Sequence, residues 1–337
     1  MSGRNYAAFS WGKSCCTGET GTPIAELADV SSWLAIVDEL YEGAWNAELH
    51  RFRSPYAFRG VGCATRGLTS TLARLAGSRG DIRKLEHALL RNFRKYARTD
   101  AQGADSTWDW LALGQHRGLP TRLLDWTYSP LVALHFATEN PADFDQDGVV
   151  WSVNFVEANK GIPRRLQRIL RDEGSDTFTA EMLAAFTTLR EFEALSRDSF
   201  LVFLEPPALD QRILNQLALF SLMSDPAGSF DAWMEAHPEL CRRVMVPARL
   251  KWEIRDKLDQ ANINERVLFP GLDGLSRWLA RYYTPSNGED VDGRFDPSDP
   301  VSAQLKTLPS TRGRDKATSR PRSRASRRRS GGTGRAG

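Results

Sequence analysis

Apolar residues recur at two different spacings along the chain, and each spacing predicts its own elements. From Asp81 to Arg98, Ile82, Leu85, Leu89, Phe93 and Ala97 share one stripe while Arg83, Lys84, Arg91 and Arg94 fall mostly off it, which predicts an amphipathic helix with Asp81 as N-cap. The same spacing predicts helices over Ile24–Trp45 (Ser31 capping a run through Leu34, Val37 and Leu40), Thr107–Gln115 and Pro130–Thr138, where proline is tolerated in a first turn. Short aromatic and β-branched runs predict strands at Pro55–Gly60, at Gly148–Val156 after an Asp-Gly turn, at Phe200–Leu204, at Ala218–Met223 and at Arg242–Val246. Ile162–Leu195 reads as mainly helical, Gln211–Leu217 as a short helix and Leu250–Gln260 as another. Val267–Phe269 is a short apolar run ended by Pro270-Gly271, and Asp273–Tyr283 is the last helix, with Asp273 as its cap. The long helical insert between Val156 and Phe200 argues against a regular doubly wound sheet. The expected fold is therefore α+β, a single domain with a mixed or antiparallel sheet and several helices.

Composition adds the boundaries. Of the 337 residues, 41% are hydrophobic and 26% charged, enough to bury a core. The ten tryptophans read as core mass. Residues 1–24, rich in Gly, Ser and Thr, read as a flexible leader, 25–283 as the domain, and 284–337 as a disordered tail, acidic and then basic. The net charge of +3 belongs to that tail, because Asp315 is the only acid from Thr311 to Gly337, and without it the folded part is mildly acidic. The four cysteines show no CxxC spacing, which points away from zinc and redox chemistry and towards a reduced, cytoplasmic protein. No apolar run of about 18 residues predicts a membrane span, and none near the N-terminus resembles a signal peptide. The five histidines lack HExxH or clustered spacing, so no metal site is expected, and the GxxxxGK[ST] and GxSxG loops are missing.

The chemistry concentrates between Trp108 and Thr127. There Gln115, His116, Arg117, Thr121, Arg122 and Asp125 are set among apolar residues, where unpaired polar groups cost about 1–3 kcal/mol each. Two readings stay open: an internal polar staple, with Arg122 and Asp125 as a local pair and Thr127 capping the next turn, or a ligand site. His135, in an apolar helix, reads as a satisfied core histidine.

This segment resembles the FRG domain family. Phe58-Arg59-Gly60 matches the triplet that names the family, and Gln115 to Thr127, followed by Ser129-Pro130 and Ala133 to Ala137, matches its central signature. Arg212 with Gln216 and Phe220 matches a later polar element, and Leu268 to Gly274 its closing motif, so the resemblance runs from about Trp33 to Tyr283. Val61 departs from it, since many members carry Gln there. The resemblance implies a mainly bacterial domain and no settled activity.

Three functional expectations follow. The order of Arg59, then Thr121 leading into Ala133–Ala137, then Glu265 before Leu268–Pro270 is similar to that of ADP-ribosyltransferases. That similarity implies NAD as a substrate, Arg59 on its phosphates, Thr121 at the ribose, and Glu265 and His116 as catalytic residues. The alternative is a module without catalysis, in which Arg59, Gln115, His116, Thr121, Arg122 and Asp125, joined by Arg212 and Gln216, form a pocket for a nucleotide or another anion. Separately, Arg320–Arg329 in the tail 311–337 is suited to weak, sequence-independent contact with nucleic acid.

Overall fold

A computed structural model describes residues 25–26, 32–78, 80–98 and 103–285. These belong to one compact unit that ends at Ser286; the second unit, Asn287–Gly337, lies outside the described residues, as do the expected leader 1–24 and the basic stretch 311–337.

The fold is α+β. Its strands are β1 (Ala25–Glu26), β2 (Trp45–Asn46), β3 (Arg51–Phe52), β4 (Tyr56–Val61), β5 (Leu123–Thr127), β6 (Gly148–Asn154), β7 (Leu201–Leu204), β8 (Ala218–Met223) and β9 (Cys241–Val246). Strands β2 and β3 form a small hairpin, and the other seven make one sheet in the order β1-β9-β6-β4-β5-β8-β7. It is a mixed sheet: β1 runs parallel to β9 and every other neighbouring pair is antiparallel.

Alternation along the strands sends side chains to two covered faces. Val149, Trp151 and Val153 of β6 pack with Ala57, Trp126, Phe203 and Phe230, whereas Val150 joins Phe58, Val244 and the helices carrying Ile36, Ala133 and Ile254. A third cluster sets Trp108 and Leu111 of the Thr107–His116 helix against Phe178, Phe192, Val202 and Leu222.

One pairing is incomplete. Strand β4 is bridged to β6 at six positions and β5 to β8 at five, but β4 and β5 meet at a single position, Phe58 opposite Thr127. Beyond that bridge the sheet opens, leaving a seam between its two halves.

Several elements differ from the sequence expectations. The first helix spans Trp33–Tyr41 and is capped by Ser32, one residue after the expected Ser31, which lies outside the described residues. It stops before Gly43, whose φ of +68° no helix continues, and Ala25–Glu26, expected to be helical, is a strand because β9 offers it a partner edge. Ile162–Leu195 breaks into helices at Arg164–Glu173, Ala180–Leu183 and Leu189–Glu193; the first ends at Gly174 in the left-handed region. Val267 and Leu268 end a short helix, Glu265–Leu268. The last helix, Leu272–Tyr282, starts at Gly271 with φ +111°, so Asp273 lies in its first turn and is not its cap. In the Ile82–Ala97 helix the capping by Asp81 is as expected, but the fully buried residues are Glu86 and Leu90, while the apolar stripe from Ile82 to Ala97 is at most half-buried. Glu86 is drawn inward by an arginine on β5's approach.

Candidate functional site

The seam in the sheet is a cleft of about 270 Å³. Arg59, Gln115, His116, Asp125, Arg212 and Gln216 line it, together with Phe58, Phe136 and Glu139. Four separate stretches of chain supply these side chains.

The Phe-Arg-Gly triplet has three distinct tasks. Phe58 is buried against the Pro130–Ala137 helix. Arg59 spans the open seam, its Nη1 donating to the Asp125 carbonyl, while its buried Nε has no hydrogen-bond partner. Burial pulls the Arg59 pKa below its ordinary value against the opposing pull of Asp125, and nearby Arg74 lowers it further. Gly60 lets the helix approach: a Cβ there would lie 1.7 Å from the Ala133 carbonyl oxygen.

Asp125 is held by a relay. Thr121, almost wholly buried, donates from Oγ1 to Gln115 Oε1 at 2.5 Å, and Gln115 Nε2 donates to Asp125 Oδ1 at 2.9 Å. Thr121 is in turn fixed by donating its backbone N–H to Thr71 Oγ1 at 3.1 Å. It does not line the cleft; its part is to orient Gln115.

His116, at the end of its helix, donates from Nε2 to Asp210 Oδ2 at 2.7 Å. The other Asp210 oxygen caps the Gln211–Asn215 helix by accepting from Arg212 and Ile213 N–H groups. Burial acts to raise the Asp210 pKa, but the His116 bond and the backbone donors outweigh it and hold the carboxyl below its usual range. From the same short helix the exposed Arg212 sits 5.1 Å over the Phe269 ring. Gln216, just past its end, donates to the Leu268 carbonyl at 2.9 Å. Thr127 donates to the Gln216 carbonyl at 2.7 Å and accepts from Ser129 N–H at 3.0 Å.

Two expected site residues are elsewhere. Arg122 does not pair with Asp125: it precedes β5, and its guanidinium is taken up by partners from other segments of the chain. It reaches instead into a buried ion pair with Glu86, bonds Glu193 at 2.7 Å and donates to the Ser224 carbonyl at 2.8 Å. Glu265 is not in the cleft with Arg59. It is 3% exposed and bonded by Arg255 at 2.7 Å and by Arg281 at 2.8 Å, and it borders a neighbouring cavity of about 390 Å³. Burial alone would raise its pKa, but the two arginines pull it down to about 2, so it is a firmly ionised partner in a structural network. His135 belongs to the same network and is fully buried, its Nδ1 accepting from Arg255 Nη1 at 2.6 Å.

Sequence reasoning missed Glu139. It lies two residues beyond the Pro130–Ala137 helix and borders both the cleft and the cavity beside Glu265. Burial raises its pKa despite Arg277, whose Nη1 is 3.3 Å away. The available signal was a lone acid closing the central signature, just after Ala133–Ala137. Asp210 was also missed; its cap position was readable, but its bond to His116 spans 94 residues.

No helix among the described residues is long and apolar enough to cross a membrane. No curated protein matches the chain, and no solved structure matches it. A family model described as FRG domain matches residues 54–146. That span contains Arg59, Gln115, His116, Asp125 and Glu139, while Arg212, Gln216 and Leu268–Gly274 lie beyond it. An FRG domain is thus present at residues 54–146, and most of the polar wall of the seam cleft is drawn from this one stretch.

Proposed function

We propose that the seam cleft binds a small anionic ligand of nucleotide type, with NAD the first candidate. The observation that carries this reading is the convergence of Arg59 and Arg212 with Gln115, His116 and Asp125 on one cleft, where Arg59 keeps a buried Nε free of any partner. Arginine forks match phosphate oxygens, and the oriented amide, imidazole and carboxylate match ribose hydroxyls. At about 270 Å³ the cleft holds roughly one nucleoside-sized half of a dinucleotide, leaving the other half outside. The two buried free thiols, Cys63 and Cys241, suit a reducing cytoplasmic setting.

Glu139 favours a second reading, transfer of ADP-ribose. With Glu265 committed to Arg255 and Arg281 and Asp125 held by Gln115, the carboxyl that suits a proton acceptor is Glu139, whose pKa burial raises even with Arg277 beside it. In such a step the nicotinamide–ribose C–N bond breaks with its electron pair going to nicotinamide. The bond from the acceptor to the ribose carbon forms, and the acceptor's proton passes to Glu139.

Calorimetric titration with NAD, alongside nicotinamide release in a lysate, tests both readings. Saturable binding lost in Arg59→Ala supports the ligand site, and release that also needs Glu139 (lost in Glu139→Gln with binding retained) supports the transferase. Absence of NAD binding, with Arg59→Ala indistinguishable from wild type, would sink both.

A further inference from the structure

A cavity larger than the seam cleft lies away from it. It is a groove of about 1220 Å³ between the Ile82–Ala97 helix and the turn around Leu189–Glu193. The helix wall is strongly basic, and the opposite wall adds Arg190. Its two acids are already engaged: Glu86 by Arg122, and Glu193 by Arg122 and Arg83. That leaves Arg91, Arg94, Lys95 and Arg98 on the helix and Arg190 opposite with no ion pair among the described residues. Positions 91, 94, 95 and 98 follow i, i+3, i+4, i+7 spacing, so these cations form a row along one face.

Arg94 separates this groove from an ordinary solvated charged surface. Its Nε and Nη2 are buried and have no hydrogen-bond partner, an arrangement that costs stability unless an acceptor arrives from outside. The shape narrows the choice of ligand. From Lys84 to Arg98 the helix wall of the groove runs about 20 Å at 1.5 Å per residue, with the unpaired cations on its second half. A flat bilayer would meet only the rim and leave Arg94 unsatisfied, whereas a slender chain of phosphates can lie along the floor. Ala88, Leu90 and Leu189 give that floor apolar surface suited to sugar and base edges. Among the described residues no Phe, Tyr or Trp lines it and the imidazole of His87 is the one ring there, so recognition would rest mainly on the backbone phosphates.

We infer that this groove binds single-stranded nucleic acid through its phosphates, independently of the seam cleft and of the basic stretch Arg320–Arg329.

The test uses the full chain and a fluorescein-labelled 20-nucleotide oligothymidylate, followed by fluorescence anisotropy across a range of NaCl concentrations. Binding should weaken with salt. The R91A/R94A/R98A variant should bind at least tenfold more weakly at low salt, with the slope of log K against log[salt] reduced by about 2, since each phosphate contact on a single strand contributes about 0.7. R91A/R98A changes only two exposed residues, guards against misfolding of the triple variant, and should reduce the slope by about 1.4. The idea is overturned if both groove variants keep wild-type affinity and slope while R327A/R328A/R329A loses binding. It is also overturned if the full chain shows no salt-dependent binding of the oligothymidylate.

Discussion

At the scale of single residues, the cleft depends on a side chain that does not line it. Thr121 orients Gln115, and Gln115 orients Asp125, through bonds of 2.5 and 2.9 Å. Thr121 also accepts from Leu123 N–H at 3.2 Å. Replacing it with valine keeps the volume but leaves Gln115 Oε1 and that N–H without their partner. Thr121→Val should therefore lower stability by about 2 kcal/mol, read from the urea midpoint, and Thr121→Ser should restore most of it. Equal losses in the two variants would mean that packing of the methyl group, not the hydroxyl, is what matters. The adjacent Arg122 shows how finely roles are divided on the approach to β5: one residue further on, the side chain belongs to a buried ion pair with Glu86.

At the scale of elements, the seam exists because β4 and β5 share one bridge while each is fully paired on its other side. The Pro130–Ala137 helix packs directly on β4, and Gly60 permits that contact. A methyl at Gly60 would sit 1.7 Å from the Ala133 carbonyl oxygen and 2.6 Å from the Ala137 nitrogen, both rigid backbone atoms. Gly60→Ala must push the helix off the strand, and a loss of about 3 kcal/mol is expected, measured as a drop in thermal midpoint. Phe58 and Phe136 move with these elements, so the cleft should lose shape at the same time. A variant melting with wild type would mean that the helix has room to shift.

At the scale of the whole molecule, acid should unfold the protein through a buried network far from the surface charge. Burial, with Arg255 adding to it, holds His135 neutral and depresses its pKa from 6.5 to about 3. The unfolded chain therefore binds a proton that the folded one refuses. Stability is complete above about pH 6.5 and falls as pH drops towards 3, by up to about 1.4 kcal/mol per unit. Glu265, depressed from 4.5 to about 2, has the same sign, its contribution being present above 4.5 and lost as pH falls towards 2. His135→Asn, whose amide oxygen can still accept from Arg255, should flatten the profile between pH 6.5 and 5. Urea midpoints at those two values decide it, and an unchanged slope would assign the acid sensitivity to other groups.

What the chain determined by itself was local. Period and caps are properties of neighbouring residues, so the Ile82–Ala97 helix with its Asp81 cap, the helix beginning at Pro130 and strand β8 were all legible, and the polar signature from Gln115 to Asp125 marked the region of the cleft. Ala25–Glu26 was misread because a two-residue strand exists only through its partner β9. Glu265 was placed at the site by its order in the sequence and Arg122 by its polar segment, yet burial set each of them among counter-ions on other elements. Glu139 entered the cleft, and Asp210 came to hold His116 at its edge, unannounced for the converse reason. Which face a polar residue presents, and which charges surround it, is decided when helices pack on a sheet that is open at one seam, and no spacing along the chain encodes that opening.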